Sequence, residues 1–357
     1  MLTPSRLVLA RKRRGLTAAE VARAVGVSAS SIGDYEHGRR RPAAGKTAAL
    51  AEALGFPVEF LEAPDEAELP CEAVAFRAAA RVPVPRRDAA VAAGRLAIGF
   101  NRWLERTFTL PVPDVPTVEH PDPETAATMV RGRWGLGSGP APTMVHLLEA
   151  HGVRVFSLPV DCADVDAFSF WHAGTPFVFL NPTTSAERGR FDAAHELGHL
   201  VLHANIRPED AERQANTFAG AFLMPRAGVL ASVPRGPVTE QVLTHRTHWR
   251  VSALALTYRL RDLGLLTADQ YGVVCADLSR RGYRLAEPDG LTAREGSLLL
   301  SKVFRTLRDR GTSPQQVARE LLLDPAELNT LLFGLVVTAL PGESQATTRR
   351  GRLTLVL

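Results

Sequence analysis

The chain has 357 residues, of which 45% are hydrophobic and 22% charged, and its formal net charge is +4. Those values fit a soluble chain of two or three globular domains and exclude a polycation. No apolar run is long enough to span a bilayer, Met1 to Leu9 is too short for a signal peptide and is interrupted by Arg6, and Cys71, Cys162 and Cys275 form no C-x-x-C; we expect a cytoplasmic protein with reduced thiols and no membrane contact.

Residues 1–64 read as a compact helical bundle. SRLVLARKRRG gives an amphipathic helix that ends in a basic run, Arg11 to Arg14. Thr17 and Glu20 have the spacing of a capping box ahead of TAAEVARAVG, and Gly26 supplies a tight turn. SASSIGDYEHG is a third short helix, followed by Arg39, Arg40, Arg41 and Pro42, and GKTAALAEALG is a fourth. Helix, glycine turn, helix is the helix-turn-helix pattern. Up to Pro64 there are ten basic and six acidic residues, an excess equal to the net charge of the whole chain. The positive balance therefore belongs to this region, and the basic residues at the end of the first helix and after the third suit phosphate contacts.

GLTAAEVARAVGVSASSIGDYEHGRRRP followed by ALAEALG resembles the phage-repressor/Cro class of regulators, the XRE family, over about 60 residues. The resemblance implies operator DNA as partner. Ser28, Ala29, Ser30, Gly33, Asp34 and His37 would lie on the DNA-facing surface, with Arg39, Arg40 and Arg41 at phosphates. Most of the base-facing side chains are small, and Asp34 would repel phosphate, although it can accept from a cytosine amino group. We expect modest single-site affinity, rescued by homodimerisation.

Residues 65–84 shift to an acidic, Pro-containing composition and read as a linker. A domain follows over 85–231. RRDAAVAAGRLAIGFNRWLERTF, PETAATMVRGRWGL and APTMVHLLEAHG have helical period, and VRVFSLPV, AFSFWHAG and TPFVFLN read as strands of a small sheet. The fold class expected is multidomain: an all-α N-terminal bundle, an α+β domain with a small sheet, which the H-E-x-x-H at residues 195–199 makes zincin-like, and a mostly α C-terminal region.

AHELGHLVLH, residues 194–203, contains H-E-x-x-H. On a helix, His195 and His199 are one turn apart on one face and can bind one zinc ion, with Glu196 beside them as general base. A catalytic zinc wants a third protein ligand. His203 is about 12 Å from His195 along the axis and cannot reach the same ion on an unbroken helix. The metzincin completion fails, because positions 202 and 205 are Leu and Asn. Glu212 in EDAERQANTFAGAFLMP remains, on a helix where Asn216 shares its face, with Glu209 as a weaker competitor. The edge strand of a sheet beside such a helix can hold a substrate backbone by β-addition.

RGRFDAAHELGHLVLH followed by AERQANTFAGAFLMP resembles the ImmA/IrrE family of zinc metallopeptidases over about residues 75–230. The resemblance implies His195, His199 and Glu212 as zinc ligands, Glu196 as catalytic base and Asn216 in support. It also implies cleavage of a repressor or antitoxin-like protein in a stress or mobile-element response. The alternative is a non-proteolytic transcription factor or antitoxin that uses the peptidase fold as a sensor or partner-binding domain. Tyr258 and Arg259 are candidates for the oxyanion donor, and His172 for a place at the cleft.

The region 232–357 is helical by period. Within it GTSPQQVARELLLDPAELNTLLFG, residues 311–334, aligns without gaps on GLTAAEVARAVGVSASSIGDYEHG, residues 15–38. With the preceding helix this suggests a degenerate helix-turn-helix-like unit over 302–334. Leu322 replaces Gly26, no basic run follows, and DPAELNTLLFG is apolar and acidic, so this unit is expected to pack on the body or on a partner and not to read DNA. LTLVL is a candidate final strand.

Overall fold

The structure, a computed structural model, describes residues 1–64, 75–76, 83–119, 122–162, 164–204 and 209–332. Most of the expected linker, Gly334 and the LTLVL strand lie outside the described residues. The chain is mostly helical, with one small sheet. The first five helices are α1 (Pro4–Arg13), α2 (Ala18–Val25), α3 (Ala29–Glu36), α4 (Ala44–Leu54) and α5 (Val58–Glu62). The capping box forms: the Thr17 hydroxyl accepts from the Glu20 amide, and the Glu20 carboxylate accepts from the Thr17 amide at 2.7 Å, worth about 1 kcal/mol for the start of α2. Gly26 closes α2 at φ +64°, and the Ser28 hydroxyl caps α3.

A short strand, β1 (Ala75–Phe76), precedes the long helix α6 (Val84–Thr107), followed by α7 (Pro123–Arg133) and α8 (Met144–Ala150). Then come β2 (Arg154–Ser157), β3 (Ala167–His172) and β4 (Thr175–Leu180). The strand order is β1-β3-β4-β2, with β2 parallel to β4 and the other pairs antiparallel. Ala173 and Gly174, both at positive φ, make the tight turn of the β3–β4 hairpin. The remaining helices are α9 (Ala186–Leu202), α10 (Ala211–Leu223), α11 (Arg226–Ser232), α12 (Thr239–Trp249), α13 (Ala253–Asp262), α14 (Ala268–Arg280), α15 (Leu298–Asp309), α16 (Pro314–Glu320) and α17 (Pro325–Leu332).

The alternation of side chains along a strand divides the core in two. Phe156, Phe168, Phe170, Phe177 and Phe179 point to one face of the sheet, where they join α6, the N-terminal helices and α15–α17 in one continuous apolar cluster. Val155, Ala167, Val178 and Leu180 point to the other face and pack with α7–α10 and α12–α14. The sheet is therefore buried on both faces. Its phenylalanine side faces the N- and C-terminal helices, and its small-residue side faces α9.

The two stretches that align without gaps also fold alike. Thr17 and Ser313 cap the second helix of each unit, and Gly26 and Leu322 occupy the same left-handed turn at φ +64° and +56°. The basic run of α1 departs from the expected phosphate role. Arg13 is 1% exposed and donates to Glu327 of α17 at 2.5 Å and to Asp161 at 2.9 Å. Arg14 pairs with the other oxygen of Glu327 and donates to the carbonyl of Leu54, and Arg11 makes a two-pronged contact with Glu36. Burial works against the charge of Arg13, but the carboxylates of Glu327 and Asp161 outweigh it and hold the guanidinium above its ordinary value. Arg13 and Arg14 fasten the N-terminal bundle to the C-terminal unit; their spacing in sequence gives no sign of a partner more than 300 residues away.

A strap ahead of α15 joins the same unit to α8 and α9. The buried Arg190 of α9 pairs with Glu295, and the buried Glu149 accepts from Ser297 and from the amides of Leu298 and Leu299 at 3.0 and 2.9 Å.

Candidate active site

Helix α9 starts at Ser185, whose hydroxyl accepts from the Arg188 amide, with Glu187 in the first turn. Its inner face lies on β3: the Ser169 hydroxyl donates to Glu196 Oε2 at 2.6 Å, and the Trp171 indole donates to the Leu200 carbonyl at 3.1 Å. His195, Glu196 and His199 are 0%, 0% and 3% exposed. Helix α10 crosses α9 through Ala215, Phe218, Ala219 and Phe222, all buried. The approach is close because position 198 is glycine. A Cβ there would stand 3.1 Å from Phe218 Cδ1 and 3.2 Å from Ala215 Cα. Gly198→Ala is expected to cost about 1–3 kcal/mol in a denaturant melt, the range for overpacking; an unchanged midpoint would show that α10 can shift freely.

That crossing brings Glu212 to the two histidines. The facing Nε2 atoms of His195 and His199 are 3.1 Å apart, and the Glu212 carboxylate lies 3.4 Å from one and 3.3 Å from the other. Among the described residues these three form one group whose candidate donor atoms lie within 4.8 Å of one another. Donors at about 2.0–2.1 Å from a tetrahedral ion stand about 3.3 Å apart, so the set fits a single metal ion. The His195 ring faces Asn216 Oδ1 through Nδ1 at 3.1 Å; when Nδ1 carries the proton, the Nε2 lone pair turns toward the group.

Other expected residues fall elsewhere. Arg259 is 2% exposed and spent on structure, donating to the Met224 carbonyl and pairing with Glu124 and Asp262; a guanidinium so engaged does not serve as an oxyanion donor. Tyr258 is 57% exposed and lines, together with Asn216, Arg188 and Phe191, a cleft of about 820 Å³ beside the group. His172 at the end of β3 and the exposed Glu209 are not members of the group. Ser169 went unnoticed in the sequence: a serine in a strand carries no motif, and only strand pairing places it at Glu196. On the N-terminal bundle, Ser28, Ala29, Ser30, His37, Arg39, Arg40 and Arg41 are exposed, Gly33 and Asp34 are half-buried, and Asp34 pairs with Arg39 at 3.0 Å.

Residues 148–261 match the family model described as the IrrE N-terminal-like domain, and residues 5–63 match a helix-turn-helix domain. The chain joins a helix-turn-helix domain to an IrrE N-terminal-like peptidase domain. No curated protein matches it. The IrrE N-terminal-like domain begins in α8 and ends in α13, so it contains the sheet strands β2–β4, both histidines, Glu196 and Glu212. No helix among the described residues is long and apolar enough to cross a membrane.

Proposed function

We propose that this chain is a DNA-binding transcriptional regulator carrying a zinc-dependent endopeptidase, which cleaves a repressor or antitoxin-like protein in a stress or mobile-element response. The observation that supports it best is the convergence of His195, His199 and Glu212 next to the buried Glu196. His195, His199 and Glu212 would hold the zinc ion, which would supply Lewis acidity when bound. Glu196 takes the proton of the attacking water and delivers it to the leaving amine. Ser169 holds one oxygen of that carboxylate and so fixes its direction. The outer edge of β3 runs past Ser169 and pairs with β1, Ala75 opposite Ser169. A substrate strand added to that edge would replace this pairing.

The reading is tested by comparing, through mass spectrometry, the proteins cut in cells carrying the wild type and the Glu196→Gln variant. A fragment that depends on Glu196 identifies the substrate; identical fragment sets with normal regulation would favour the non-proteolytic sensor. For the DNA side, the reading is supported by the exposure of Ser28, Ala29 and Ser30 at the start of α3 and of Arg39–Arg41 after it, and a cytoplasmic homodimer would present two such sets. Replacing Arg39, Arg40 and Arg41 with Ala is expected to weaken operator binding across all sequences. The slope of log affinity against log salt should flatten by about 0.9 for each phosphate that these side chains neutralise. An unchanged slope in a gel-shift series would remove these residues from the phosphate contacts.

A further inference from the structure

Beyond the three candidate ligands, a chain of hydrogen bonds leads away from His199. Its Nδ1 lies 2.9 Å from His203 Nδ1 at the end of α9, and His203 Nε2 lies 3.0 Å from Gln214 Oε1 on α10. Gln214 Nε2 donates to Asp210 Oδ1 at 2.8 Å, and Asp210 Oδ2 accepts from Arg213. For a neutral His203 the last member orders the rest. A carboxylate paired with arginine only accepts, so the amide of Gln214 must turn its NH2 toward Asp210 and its oxygen toward His203. That oxygen also only accepts, so His203 carries its proton on Nε2. A neutral His203 then has a lone pair on Nδ1, which can only accept from His199 Nδ1–H. His199 is left with its lone pair on Nε2, the atom facing His195 and Glu212.

We propose that His203, Gln214 and Asp210 form a positioning relay that sets the tautomer of His199 and presents its Nε2 lone pair to the metal. The inference rests on the metal-binding reading of His195, His199 and Glu212. The opposite tautomer would place a proton on Nε2 and block coordination, so the relay pre-organises the site before the ion arrives. Asn216 plays the corresponding part for His195 with a single bond. His203 is thereby a positioning residue and not a ligand.

The experiment uses the full chain. Zinc affinity is measured by competition with a chelating dye for the wild type, His203→Phe, Gln214→Leu and His203→Gln, alongside melting of each metal-free protein. Outer partners of metal-bound histidines are worth roughly 10–100-fold in affinity. We expect that loss for His203→Phe and Gln214→Leu, with metal-free melting unchanged, and substantial recovery in His203→Gln, whose amide oxygen can accept from His199. Long-range proton–nitrogen NMR of the metal-free wild type should show His203 protonated at Nε2. Equal zinc affinity in His203→Phe and Gln214→Leu, or His203 protonated at Nδ1, overturns the relay while leaving the metal centre standing. A wild type that takes up no zinc overturns the metal-centre reading itself, and the relay with it.

Discussion

Glu196→Gln is expected to lower peptide hydrolysis by about 10²–10⁴-fold, the range for removing a positioned general base, while zinc binding stays within a few-fold of the wild type. The split follows from the geometry. Glu196 is buried against Ser169, and it is not one of the three residues whose donor atoms converge. Gln keeps the shape of the side chain, and its amide oxygen can still accept from the Ser169 hydroxyl, so packing on β3 is preserved. What it loses is the ability to take a proton. The measurement is zinc stoichiometry and turnover of a cleaved protein by both forms under the same zinc concentration. Undiminished turnover in the variant would remove Glu196 from the chemistry. A parallel loss of zinc would make Glu196 part of the metal site.

Arg13→Ala should destabilise the chain by at most about 3–5 kcal/mol, the range for breaking a buried ion pair from one side. Arg13 is 1% exposed, and its partner Glu327 is the residue left behind. Arg14 also reaches Glu327 but is partly exposed, so it rescues only part of that loss. Replacing both members of the buried pair with apolar residues, Arg13→Met with Glu327→Leu, is expected to recover most of the stability, because the stranded carboxylate is gone. A double-mutant cycle read by denaturant unfolding tests this. A loss near zero for Arg13→Ala would mean that the N-terminal bundle is held by the apolar cluster alone. The consequence reaches function: the helix-turn-helix domain is fastened to the body through α1, while Arg39, Arg40 and Arg41 after α3 stay exposed.

Much of the site could be read along the chain because its parts are local. H-E-x-x-H needs only the helical period to put His195 and His199 on one face, and the capping box at Thr17 needs only three residues. The internal echo was visible as a gapless alignment, and the turn at Leu322 takes the same left-handed conformation as Gly26 although the side chain differs. Glu212 was accessible because a second motif lay one helix downstream. The phosphate role expected for Arg13 and Arg14 failed for a definite reason. A basic run has the same appearance whether it faces solvent or a carboxylate, and Glu327 lies at the far end of the chain.

The sequence by itself therefore determined the helices, the alternation of the strands, the two histidines with Glu196 beside them, and the helix-turn-helix pattern, all of which depend on periods of two to four residues. Only the tertiary structure decided which of equivalent polar residues meet. It set Ser169 against Glu196, His203 and Gln214 behind His199, Arg259 into a structural ion pair, and Arg13 against Glu327. These pairings depend on how helices and strands distant in sequence cross, and close packing at positions such as Gly198 fixes those crossings.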